Sequence, residues 1–259
     1  KRSGKKHIFL SEESKAYIKN IHLSDKPESE LHSSIDANLK QNSEPIAGLE
    51  SLELSKSSKS ENIILLKEAL ANLFPNEKLL FGKGSLDPKI VFLSEYPSAE
   101  EFKNNSLCVG KVNELMEKIV KAMGMTQDDV YFTAIIKSKT LSNALLQKGT
   151  NAPESKEKKF YIEYLKKELT LINPSIVISL GELAYTLLVD KEVRKEEFNQ
   201  IRGQLFKFSE YSTVPTFNPA YLLLKDSIET KRLFWEDLLV VMNELKFEIS
   251  DKQKNFFKK

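Results

Sequence analysis

The run Lys89-Ile90-Val91-Phe92-Leu93-Ser94-Glu95-Tyr96-Pro97-Ser98 carries an apolar, β-branched segment that stops at Ser94, with a carboxylate next and a turn closed by Pro97. That pattern predicts a buried strand whose carboxyl end delivers Glu95 to a surface crevice. In open parallel sheets, ligands bind outside the carboxyl ends of the strands. Similar apolar runs recur at residues 130–136, 175–180 and 214–217, with a shorter strand-like run at 204–208. Between them lie residues at helical spacing: Ile63, Leu66, Leu70 and Leu73 before Pro75; Val112 to Met123, stopped by Gly124; Tyr161 to Ile172, closed by Asn173-Pro174; residues 183–188; and Phe234 to Leu245. Residues 81–85 read as a turn and 140–159 as a long polar loop. Near-continuous apolar strands alternating with helices predict a three-layer α/β/α domain with a mostly parallel central sheet over residues 61–246.

On either side of that domain the chain changes character. Residues 1–60 are rich in Ser, Lys, Glu and Asn and are expected to form a disordered tail; residues 247–259 are expected to be a basic C-terminal tail. The 259-residue chain has a formal net charge of +2, so any nucleic-acid binding must come from a local patch and not from a global field. One cysteine, Cys108, excludes an intrachain disulfide, a four-cysteine iron–sulfur cluster and a CxxC pair. The histidines, His7, His22 and His32, all precede the domain, which removes a histidine metal site or a Ser-His triad from it. No cofactor and no metal are expected. No apolar run approaches the ~20 residues of a membrane span, and no signal-peptide pattern opens the chain, so a soluble, cytoplasmic protein is expected.

Four strand ends collect the unusual residues: Glu95; Lys137 to Lys139; Gly181-Glu182; and Asn218-Pro219-Ala220-Tyr221-Leu222-Leu223-Leu224. In a parallel sheet these ends share one edge, although polar turns come after any strand. Glu95 suits the stabilisation of a developing cation or the polarisation of a water, and a helix cap or a surface charge is the plainer alternative. Glu100 and Glu101, half a dozen residues on, suit assistance to it or plain solvation. Lys137 and Lys139 suit phosphate contacts, with a solvated lysine face as the alternative. Apolar residues on a proline turn, 219–224, suit a wedge that opens a base stack, or else a helix start packed in the core.

Taken together, these motifs resemble the uracil-DNA glycosylase superfamily, and most closely its family 4 branch, from Phe81 to Leu245. Phe81-Gly82-Lys83-Gly84 with Ser94-Glu95-Tyr96-Pro97-Ser98-Ala99-Glu100-Glu101 looks like FGEG…GEAPGxxE. Leu107-Cys108-Val109-Gly110 sits where the family has PFVG, and Tyr131 to Lys137 looks like YITNVVK. Asn173-Pro174 and residues 176–181 resemble RPKVIVALG. Arg202-Gly203 and Thr216 to Leu223 are similar to RG…TYHPAYLLR, with Trp235-Glu236-Asp237-Leu238 completing the match.

The resemblance implies a base-excision repair enzyme that flips a damaged nucleotide out of DNA and hydrolyses its N-glycosidic bond through an oxocarbenium-like sugar. It assigns Glu95 as the catalytic carboxylate with Asn218 beside it, and Tyr96, Pro97, Cys108 and Ala134 to the base pocket. DNA, single- or double-stranded, would meet Lys137, Lys139, Pro219, Ala220, Tyr221, Leu222 and Leu223. Cys108 stands where the family has a base-stacking Phe, Ala134 where it has a base-reading Asn, and Asn218 where it has His. The family's cluster cysteines are absent, with Ser138 and Tyr161 near two of their places. These departures leave a second reading open, a catalytically silent member that binds DNA or a protein partner. A third is an enzyme of free nucleotides or nucleosides.

Overall fold

The structure is a computed structural model that describes residues 58–148, 156–189, 193 and 195–257. Almost all of the segment expected as an N-terminal tail therefore lies outside the described residues. Six strands form one sheet: β1 (Lys83–Gly84), β2 (Ile90–Ser94), β3 (Val130–Ala134), β4 (Ile176–Leu180), β5 (Phe206–Phe208) and β6 (Tyr211–Thr216), in the spatial order β1-β3-β2-β4-β6-β5. The four central strands are parallel, and β1 and β5 pair antiparallel at the edges. The helices are α1 (Lys59–Leu73), α2 (Ala99–Asn104), α3 (Gly110–Ala122), α4 (Lys139–Lys148), α5 (Lys156–Ile172), α6 (Glu182–Val189), α7 (Lys195–Ile201), α8 (Pro219–Lys225), α9 (Ile228–Glu244) and α10 (Asp251–Lys254).

Strand alternation sorts the core into two layers, because successive side chains leave a sheet on opposite faces. Val91, Leu93, Tyr131 and Val177 pack with Leu66 and Leu70 of α1, Leu165 and Leu169 of α5, and Leu187 of α6. Ile90, Phe92, Phe132, Ile178 and Val214 pack on the other face with Met116 and Val120 of α3 and Phe234, Leu238 and Met242 of α9. The expected α/β/α architecture is the one observed. Full burial of an aliphatic or aromatic side chain of this kind is worth roughly 1.5–3 kcal/mol, which is why the strands read as continuous apolar runs.

The topology places the site. From β2 the chain moves outward through α2 and α3 to β3, then crosses back through α4 and α5 to β4 on the other side of β2. The winding direction therefore reverses between β2 and β4, which leaves a crevice at their carboxyl ends.

Several local expectations are corrected. The 81–85 turn contains β1, whose Lys83 and Gly84 pair with Phe132 and Tyr131. The third strand ends at Ala134 and not at residue 136; Ile135 and Ile136 instead donate their N–H groups to the carbonyls of Ser94 and Glu95, both at 2.9 Å. Much of the expected 140–159 loop is helix α4 and the start of α5. Helix α4 is capped locally by Ser138, whose Oγ accepts from Leu141 N at 3.1 Å, and Glu77, from far earlier in the chain, holds that cap by accepting from Ser138 Oγ at 2.6 Å. The C-terminal segment is not a free basic tail through residue 257. Phe247, Ile249 and Phe256 pack on the α3/α9 layer, Trp235 Nε1 donates to Gln253 O at 2.7 Å, and Gln253 Nε2 donates to Ala122 O at 2.9 Å.

Candidate active site

Glu95 leaves β2 at the crevice. Its own carbonyl is held by Ile136 N, so the residue that carries the carboxylate is fixed to the neighbouring strand end. Asn218 leaves β6 and caps α8: its Oδ1 accepts from Ala220 N at 2.9 Å. That bond fixes the amide orientation and turns Nδ2 toward Glu95, 3.4 Å from both carboxylate oxygens. Gly181, at the end of β4, lies between them. A Cβ there would stand 3.4 Å from Asn218 Cβ and 3.9 Å from Glu95 Oε2, on a backbone at φ +97°. A side chain at this point would be strained and would fill the space beside the two functional groups. Three strands thus supply one constellation.

Burial pushes the Glu95 carboxyl up to about 7, assisted by the nearby charge of Glu101 and opposed by a backbone hydrogen bond and by the Asn218 amide. A carboxyl poised near neutrality can hold or release a proton under ordinary conditions, as a general base or cation stabiliser requires.

Glu101 is spent on structure and does not face solvent freely. Its Oε2 accepts from Ser98 N at 2.7 Å in the capping box of α2, and its Oε1 accepts from Cys108 N at 2.5 Å. Lys83 Nζ donates to Cys108 O at 3.1 Å, so the Cys108 backbone is gripped on both sides. Burial in the α3/α9 layer pushes the Cys108 thiol up to about 12, which keeps it protonated and a poor nucleophile. Ala134 is fully buried and pairs in register with Ser94, directly before Glu95; Pro97 is buried and Tyr96 half-buried against the α1/α5 layer.

Three assignments to the DNA-facing surface, Lys137, Pro219 and Leu222, are corrected. Lys137 has no surface to offer: it is buried, and its Nζ donates to Glu168 Oε2 at 2.8 Å, to Ala134 O at 2.6 Å and to Thr133 Oγ1. Pro219 and Leu222 are buried in α8, and Leu222 packs in the core. Lys139, Ala220 and Leu223 are exposed, and Tyr221 is half-buried with its ring 5.6 Å from Phe217. Leu224, 71% exposed, follows Leu223 in α8, and Ile228, 68% exposed, opens α9. Ile228 escapes a reading of the sequence, since a single apolar residue at a helix start gives no periodic signal.

The matching family model is that of the uracil DNA glycosylase superfamily, over residues 81–239, and the chain belongs to that superfamily. Among its curated relatives is the type-4 uracil-DNA glycosylase of Thermotoga maritima, 29% identical over 182 residues that cover 70% of this chain and 84% of the relative. The type-4 enzyme of Saccharolobus solfataricus is 25% identical, covering 63% and 74% of the two chains. A DNA polymerase of Bacillus phage SP01 is 26% identical over 171 residues, 66% of this chain and 17% of the polymerase.

The iron–sulfur cluster that the family 4 resemblance brings with it does not fit the residues present here. Such a cluster is held by cysteine thiolates, typically four, and this sequence contains one cysteine. Near two of the family's cysteine places, Ser138 is bonded to Glu77 and Tyr161 stacks on Phe74 at 6.0 Å between ring centroids. Among the described residues no helix is long and apolar enough to cross a membrane.

Proposed function

We propose that this protein is a DNA glycosylase of base-excision repair that hydrolyses the N-glycosidic bond of a flipped, deaminated base, acting in the cytoplasm. The observation that carries the reading is the meeting of Glu95 and Asn218 at the sheet's switch point, with the Glu95 carboxyl near 7. The names of the relatives, uracil-DNA glycosylases and a DNA polymerase, support DNA as the partner.

In this mechanism the exposed Leu223 and Leu224 side chains enter the duplex and take the place of the extruded nucleotide. The bond from sugar to base breaks with its electron pair leaving on the base, and positive charge develops on the sugar. Ionised Glu95 stabilises that charge and takes a proton from the attacking water, whose oxygen forms the new bond to the sugar carbon. Asn218 Nδ2 steadies the carboxylate and offers a donor to the departing base. Neutral at all ordinary pH, it supplies a hydrogen bond without a charge.

Cys108 and Ala134 support a base preference different from that of a pocket with an aromatic stack and an amide reader. A site that lacks such a reader loses discrimination by hydrogen bonding. The same two residues favour a second reading, a member that binds DNA without releasing base. Base release from labelled oligonucleotides, single- and double-stranded, containing uracil, hypoxanthine or xanthine decides between them. Release that disappears in Glu95→Ala supports the enzyme. No release from any substrate, with salt-dependent DNA binding intact, overturns it.

A further inference from the structure

Behind Asn218 lies a buried ionic group that the mechanism above does not use. Asp237, in the middle of α9, is 4% exposed. Its Oδ1 accepts from Arg202 Nη1 at 2.6 Å and its Oδ2 accepts from Thr216 Oγ1 at 2.7 Å. Arg202 Nη1 also donates to Leu233 O at 2.9 Å, and its guanidinium lies 5.2 Å from the centre of the Phe217 ring. Gly203 N donates to Pro215 O at 2.8 Å. A Cβ on Gly203 would meet Asp237 Oδ1 at 2.4 Å, so the glycine is what lets the backbone approach the carboxylate. Pro215, Thr216 and Phe217 are therefore each held by Arg202-Gly203 or Asp237, and the next residue is Asn218. Thr216 O in turn accepts from Gly181 N at 2.7 Å, which ties in the glycine between Asn218 and Glu95.

We infer that Arg202 and Asp237 are positioning residues: a buried clamp that sets the end of β6 so that the Asn218 amide reaches the Glu95 carboxylate. A buried ion pair of this kind adds little net stability against well-packed apolar residues, yet it fixes one geometry, because breaking it leaves a charge unpaired. An amide 3.4 Å from both oxygens of its partner is at the outer limit of a hydrogen bond, so a small drift of β6 removes it. The clamp's effect on rate rests on the glycosylase reading, but its effect on geometry is measurable without catalysis.

The readout is the titration of Glu95, tracked by carboxyl ¹³C resonance in the full-length protein. The groups acting on Glu95 are Asn218, its own backbone and Glu101; those acting on Asp237 are Thr216, Arg202 and Glu236. Asp237→Asn gives the test a clean sign. Loss of a negative charge acting through space would lower the Glu95 pKa, whereas loss of the Asn218 hydrogen bond raises it. The expected result is a rise in Asp237→Asn, a rise in Arg202→Met, an intermediate position in Arg202→Lys, and no further rise when Asp237→Asn is added to Asn218→Ala. If the enzyme releases base, the acid limb of kcat moves up with it and kcat falls by on the order of 100-fold, the scale of an ångström-sized misplacement. Leu70→Ala, a core change on the other face of the sheet, lowers Tm without moving the titration. A Glu95 titration unchanged or lowered in folded Asp237→Asn and Arg202→Lys overturns the clamp. Absence of base release in the wild type together with the expected rise overturns the glycosylase reading and leaves the clamp standing.

Discussion

Replacing Glu95 by Gln should make the folded protein more stable at pH 8 while removing base release. The sign comes from linkage. The Glu95 carboxyl rises from its ordinary 4.5 to about 7 on folding, because burial disfavours the charged form. Between those two values the native state binds more proton than the unfolded chain, so stability falls as pH rises through the window. Above about 7 the full penalty is present; below 4.5 it is absent. At about 1.36 kcal/mol for each tenfold change in proton affinity, the rise corresponds to roughly 3 kcal/mol, and partial solvent access reduces it to about 2. Gln keeps the shape and still accepts from Asn218 Nδ2, so Glu95→Gln should gain about 2 kcal/mol over wild type at pH 8 and nothing at pH 4. Urea unfolding at the two pH values measures the difference directly, provided both transitions are two-state with equal m-values. A Glu95→Gln protein no more stable than wild type at pH 8 would refute the claim that this carboxylate is held in a costly environment. With it would go the main physical argument that the site is built for chemistry.

Three further outcomes test separate parts of the structure. Glu168→Leu should cost about 3–5 kcal/mol by stranding the buried Lys137 ammonium along with the hydroxyls of Tyr131 and Thr133; adding Lys137→Met should recover most of that loss in a denaturation cycle. Gly181→Ala should destabilise by roughly 1–3 kcal/mol, from its backbone at φ +97°, and should lower base release in steady-state assays by disturbing the Glu95–Asn218 contact. Leu224→Ala should change stability by less than about 0.5 kcal/mol, since the side chain is 71% exposed. Side-by-side rates for Leu224→Ala on matched oligonucleotides should show release from duplex DNA reduced more than release from single strands, where no stack has to be opened.

The places where the sequence misleads share a cause. Lys137 comes after an apolar strand in a lysine-rich chain, and a surface position is the ordinary outcome for lysine. Its burial depends on Glu168, 31 residues away on α5, and nothing local announces that pairing. Helix α4 reads as a polar loop because its local Ser138 cap is held in place by Glu77, from a segment far earlier in the chain, which also accepts from Thr140 N. Leu222 and Leu224 are equivalent as residue types; the helical turn of α8 puts one in the core and the other in solvent. The C-terminal segment is charged on average, yet Phe247, Ile249 and Phe256 find apolar partners on α3 and α9.

The sequence by itself determined the layered α/β/α order, the strand ends that carry Glu95, Gly181 and Asn218, the lack of cysteines for a cluster, and the superfamily. These are written in residue type and spacing, because a strand covered on both faces must be apolar throughout and must break where it meets solvent. Tertiary structure alone decided which polar groups are buried, that Glu101 and Lys83 grip Cys108, that Arg202 and Asp237 brace β6, and that the Glu95 carboxyl sits near 7. Those properties are sums of desolvation and charge over neighbours that no stretch of the chain holds together, so they exist only once the sheet has brought its ends to one edge.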